Sequence, residues 1–207
     1  TALVDRTDFV FVGHDFAVDF VNTRVCIRGT RVELLRDLED VLAWLDRAGK
    51  GGLLADGIDA LSPDERQAAF VRIMELRRRL EDAFAAVAGG GDVPADVVEY
   101  LNAQMAGAPG CGRLVRRGTG LALERRYRTA ELPGLFAEEA ARFLASMRPD
   151  CLKACENEAC ILYFYDTSRN KKRRWCSMDT CGNRVKASRH YHRRKAVRQA
   201  GEEREQQ

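Results

Sequence analysis

The chain has 207 residues, 45% of them hydrophobic and 31% charged, with a formal net charge of +3. That length suits one ordinary domain plus a small appendage, and the balance is that of a soluble globular protein. No stretch reaches the roughly 18 uncharged apolar residues that a membrane helix needs, and the first residues lack the basic-then-apolar pattern of a signal peptide.

Taken in chain order, FVFVGHDFAVDFVNT (residues 9–23) has two apolar runs around Gly13-His14-Asp15. It reads as a β-hairpin with a tight turn. Residues 32–48 then place Leu34, Leu38, Val41, Leu42 and Leu45 at helical spacing, and Gly49 marks the stop. Ser62-Pro63-Asp64-Glu65 predicts the next helix through an N-cap serine, a proline at the first position and a glutamate three after the cap. That helix should run to about Val87, ahead of Gly89-Gly90-Gly91. A short helix near residues 94–105, a hairpin over 114–126 turning at Gly118-Thr119-Gly120, and a helix over 133–147 follow. The expected fold class is α+β: a mostly helical body over residues 1–148 with a small antiparallel sheet.

One charge breaks the apolar stripe of the long helix. Phe70, Ile73, Leu80, Phe84 and Val87 form the stripe, and Arg77 projects within it. A buried guanidinium needs a partner, because leaving it unpaired costs several kcal/mol. Asp19 and Asn22 are the candidates. The alternatives are a structural ion pair, a side chain snorkelling to the core edge, or a pocket floor for a small anionic ligand formed by Asp19, Asn22, Thr23 and Arg77.

The charge is unevenly spread. Residues 151–207 hold 14 Lys or Arg against 7 Asp or Glu, and the stretch 169–198 has 12 basic residues and one acid. Such a split points to an acidic partner for the tail. The default compartment is the cytoplasm, where clustered cysteines more often mean metal or redox chemistry than disulfides. The chain has seven cysteines, an odd number that suits a complete disulfide framework poorly.

In the tail, Cys155 and Cys160 form one C-x4-C pair and Cys176 and Cys181 another. Thiolates delivered two at a time suit a closed tetrahedral site for one structural Zn2+. Between the pairs, ILYFYD reads as a strand, SRNKKR as a turn and RWC as the return, giving a small treble-clef-like unit over residues 149–200. Cys151 is open to three roles: replacement ligand, buried bystander or spare thiol. Cys26 and Cys111 read as ordinary small apolar residues, and His190 and His192 would meet a shell already filled. Beyond Cys181, Asn183 can cap a helix with cations on nearly every side and no core to join. Residues 201–207 read as a disordered tail.

These residues carry a resemblance. The run FYDTSRNKKRRWCSMDTCGNRVKASRHYHRR, with Cys181-Gly182-Asn183-Arg184 at its centre, resembles the CGNR-type zinc finger. DFVNT (Asp19 to Thr23) and Leu76-Arg77 resemble the ABATE domain that usually precedes it. The resemblance implies a bacterial stress-related transcription regulator with Cys155, Cys160, Cys176 and Cys181 as ligands and a finger that binds DNA. The expected nucleic-acid contacts are Lys171, Lys172, Arg173, Arg174, Arg184, Lys186, Arg189, Arg193 and Arg194. Duplex DNA is the favoured partner; structured RNA and a thiol redox sensor are the alternatives, and a homodimer would strengthen a single small finger. With no Walker loop, dinucleotide fingerprint or nucleophile elbow, no enzyme activity is expected.

Overall fold

The structure, a computed structural model, describes residues 9–188 and 191. The expected disordered tail at 201–207 lies outside the described residues. The fold is α+β and dominated by helices, with three separate two-stranded antiparallel sheets among the described residues. No helix among the described residues is long and apolar enough to cross a membrane.

The first departure from expectation is at the start. No hairpin forms over residues 9–23. Asp15 instead caps a helix, its carboxylate accepting the N–H of Ala17 at 2.9 Å, and α1 spans Phe16–Val21. Ala17 through Val21 are all buried. A six-residue helix buried nearly all round has no polar face, so its 3.6-residue period is invisible in the sequence.

The hairpin comes one step later. β1 (Arg24–Ile27) pairs with β2 (Thr30–Glu33), with Val25 opposite Val32. Arg28 and Gly29, at φ 52° and 82°, both occupy the left-handed region that a tight two-residue hairpin turn demands. β2 therefore takes residues expected in the second helix. That helix, α2 (Leu38–Arg47), starts only at Asp37, whose carboxylate accepts the N–H of Asp40 at 2.8 Å.

The remaining body elements follow the sequence closely. α3 spans Pro63–Ala88 and opens on a complete capping box, with Ser62 and Glu65 exchanging side-chain and backbone bonds. α4 (Ala95–Gly107), β3 (Cys111–Arg117), β4 (Gly120–Arg126) and α5 (Leu132–Ser146) come next. Then β5 (Leu152–Ala154) pairs with β6 (Tyr163–Tyr165). Met178–Gly182 forms a π-helical turn that continues as helix over 183–188.

α1 is the hub, touching α3, α5 and β6. On one side Phe16 and Phe20 meet Trp44 and Phe136, with ring centroids 4.6–5.7 Å apart. On the other, Phe84 on α3 meets Phe143 and Tyr163, and Phe143 meets Tyr165. Both aromatic groups belong to one hydrophobic core that reaches from the body to β6. These edge-on and tilted contacts add roughly 0.5–1.5 kcal/mol each beyond burial.

Candidate metal centre and nucleic-acid face

Four sulfurs converge at the C-terminal end of the fold. The Sγ atoms of Cys155, Cys160, Cys176 and Cys181 all lie within 4.8 Å of one another. Cys176 stands 3.7 Å from Cys160 and 3.6 Å from Cys181. Zinc–sulfur bonds of about 2.3 Å in a tetrahedron place sulfurs roughly 3.8 Å apart, so the four cysteines fit one zinc ion.

The backbone explains how they meet. Cys155 and Cys160 sit in the connection between β5 and β6, where Cys155 N–H donates to Leu162 O at 2.9 Å and Cys160 N–H to Asn157 O at 2.7 Å. The strand order differs from expectation here: β6 pairs with β5, ahead of the knuckle, and not with the RWC segment. That segment contributes one backbone bond, from Glu156 N–H to Arg174 O at 2.9 Å. The second pair enters the π-helical turn, which Ser177 caps by accepting from Thr180 N–H at 3.4 Å. Asn183 is not the cap, because the helix starts a turn earlier; its amide donates to Asp179 O at 3.2 Å.

The electrostatics call for a cation. Thiol donation from Cys160 and Cys176 holds the Cys155 sulfur down to about 2, as a thiolate. The bond to that anion then pushes Cys160 up to about 12, and the same sulfurs raise Cys176 further. A divalent ion lets all four ionise. Cys151 stands apart: it is fully buried, directed to Asp150 at 3.7 Å, and outside the four-sulfur cluster. Cys26 is half-buried and Cys111 exposed, and both lie outside the four-sulfur cluster.

The basic residues divide sharply. Arg173 is structural: it donates to Trp175 O at 2.9 Å, Val12 O at 3.3 Å and Cys176 O, and lies 4.4 Å from the Phe164 ring. Lys171 donates to Asp166 O at 2.8 Å. Arg174 is exposed and paired with Glu156 at 2.6 Å. Lys172, Arg184 and Lys186 are exposed. Arg189, Arg193 and Arg194, with His190 and His192, lie outside the described residues.

Residues 14–147 match the ABATE family, described as "Putative stress-induced transcription regulator". The chain belongs to the ABATE family. Residues 152–194 match the CGNR zinc finger. No curated protein matches the chain.

The DFVNT run, Asp19 to Thr23, acquires a physical role residue by residue. Asp19, at the start of the motif, accepts the N–H of Gly13 at 2.7 Å, and burial pushes its carboxyl up to about 6. Asn22 faces the finger. Its amide donates to Tyr163 O and accepts from Tyr163 N–H, both at 2.9 Å, as a neighbouring strand would. Thr23 donates to Phe20 O at 2.6 Å and accepts from Arg77 Nη1 at 2.8 Å.

Arg77 is 2% exposed, and its partner is neither Asp19 nor Asn22. Nη1 meets Glu33 Oε1 at 2.5 Å while Nη2 meets Oε2 of the same carboxylate. Glu33 was hidden because β2 was read as the start of a helix. The Arg28-Gly29 turn, between Val25 and Val32, was the available signal. Of the four proposed pocket residues, the structure joins Thr23 to Arg77, turns Asn22 to the finger, and leaves Asp19 beside a separate cleft.

Replacing Asn22 by alanine strips Tyr163 of a donor and an acceptor partner at once. The expected cost is about 1–3 kcal/mol, with faster loss of zinc to a chelator. Denaturation and metal-release kinetics check it; unchanged release would deny Asn22 its tie to the finger.

Proposed function

We propose that this protein is a cytoplasmic, zinc-dependent nucleic-acid-binding regulator whose finger docks on duplex DNA and whose body senses a small ligand. The observation that carries the reading is the exposed basic run growing directly out of the metal centre. Cys181 lies in the turn that opens the helix, and Arg184 and Lys186 follow it in the open, with Lys172 on the preceding loop. Among the described residues no ion pair engages any of these three cations, so they are available to phosphates. The centre itself is structural, since four thiolates close the shell and leave no open position for catalysis.

The triple variant Lys172→Ala, Arg184→Ala, Lys186→Ala should keep its zinc. Its log–log salt dependence of duplex binding should flatten by up to about 2.7, from roughly 0.9 per phosphate contact. Fluorescence anisotropy across a salt series measures both slope and affinity. An unchanged slope would remove these residues from the interface. A structured RNA hairpin that outcompetes duplex DNA would change the partner while keeping the face.

A further inference from the structure

Residues 11–15 have two sides. One side holds the finger: Gly13 O accepts from Tyr165 N–H at 2.9 Å and Val12 O from Arg173 at 3.3 Å. The other side walls a cleft of about 340 Å³ between this segment, α1, the end of α2 and α5. His14, in the middle of the segment, sits at φ 67°, an uncommon conformation for a residue with a side chain.

The cleft has a definite chemistry. Its acids are Asp15, Asp19 and Glu139, against one ammonium, Lys50. Lys50 Nζ sits 2.7 Å from Glu139 and 5.9 Å from the centre of the Phe16 ring. The cleft therefore already seats one ammonium between a carboxylate and an aromatic face. Phe11 adds a second ring, 39% exposed and held flat by stacking on Trp44 at 6.1 Å. Asp19 is 8% exposed and commits an oxygen to Gly13 N–H while lining the same space. Surplus carboxylate beside open aromatic faces favours a cation with an apolar body and disfavours an anion.

We propose that this cleft is a binding site for a small organic cation, an ammonium or amidinium group carried on an apolar or aromatic body. The cationic head lies among Asp15, Asp19 and Glu139, and the apolar part covers Phe11. Because the segment that walls the site also supplies Gly13 O and Val12 O to the finger, occupancy tightens the seat of β6 and Arg173. The binding stands alone; its effect on the finger rests on the regulatory reading above. It also reverses the ligand charge expected from Arg77, whose guanidinium Glu33 already neutralises.

The test uses the full, zinc-loaded chain, with benzylamine as probe and benzoate as its charge-reversed control, followed by calorimetry. Benzylamine should bind saturably with a dissociation constant of about 1 mM, typical of a fragment of this size, and benzoate should not bind. Phe11→Ala and Glu139→Gln should each weaken benzylamine about tenfold with zinc content unchanged, while Lys50→Met, which frees Glu139, should strengthen it severalfold. Benzoate binding as well as benzylamine, no saturation by about 10 mM, or indifference to both weakening variants overturns the site. Hydrogen exchange at the Tyr165 amide should slow on saturation; an unchanged rate overturns the link to the finger. If the wild-type chain binds benzylamine but no nucleic acid, the regulatory reading falls and the site stands.

Discussion

Replacing Cys176 by serine is expected to abolish zinc binding, duplex affinity and much of the stability of the chain together. Cys176 is the meeting point of the cluster, 3.6 and 3.7 Å from two other sulfurs and 2% exposed. Its backbone N–H also donates to Cys155 Sγ at 3.4 Å. Structural zinc supplies about 10–16 kcal/mol to isolated finger peptides, so its loss ranks among the rare substitutions that cost more than about 4 kcal/mol. The damage should spread beyond the finger, because Phe164 is fully buried and Tyr163 and Tyr165 share ring contacts with α3 and α5. Metal analysis, denaturant melts and low-salt anisotropy read the three losses. Cys151→Ser is the control: lying outside the cluster, it should leave one zinc bound. A Cys176→Ser protein with full zinc and wild-type stability would break the assignment.

The second large effect concerns the buried ion pair, and it should be lopsided. Glu33→Ala takes the carboxylate from Arg77, which is 2% exposed in the native chain, and leaves Thr23 as its polar contact. That is an uncompensated interior charge, expected to cost about 3–5 kcal/mol. Arg77→Met leaves the other partner, but Glu33 has a side chain 34% exposed and Arg24 within 3.8 Å. Its carboxylate can therefore rehydrate, and the methionine refills most of the arginine stem. The expected cost is below about 2 kcal/mol. Equilibrium unfolding of the two single variants decides it. Equal losses, or a larger loss from Arg77→Met, would mean that the pair is not the buried charge network described here.

What could be read ahead of the structure, and what could not, follows the range of the interactions. The capping box at Ser62 and Glu65, the Gly118-Thr119 turn and the paired cysteines are signals contained within a few residues, and each is where the sequence placed it. α1 was missed because nearly all its side chains are buried and periodicity needs a polar face. The Arg77–Glu33 pair joins residues 44 apart and the Asn22–Tyr163 bonds join residues 141 apart; no local pattern encodes such distances. The basic tail misled in a different way. Composition counts charges without regard to where they are spent, so Arg173, fastened to three carbonyls, looked the same as Lys172.

The tie between Asn22 and Tyr163 has a consequence for how the metal is gained and kept. A finger standing alone must give up the freedom of its whole chain when zinc arrives. Here β6 is already fastened to the body by Asn22 and Gly13, and through its pairing with β5 the first two thiolates are brought into place. Zinc then closes only the ring from Cys160 to Cys176, 16 residues apart, at the modest entropy cost of a short loop. Part of the chelate's affinity is thus lent by the folding of the helical body. Weakening that body far from any sulfur should surface first as a leaking metal site.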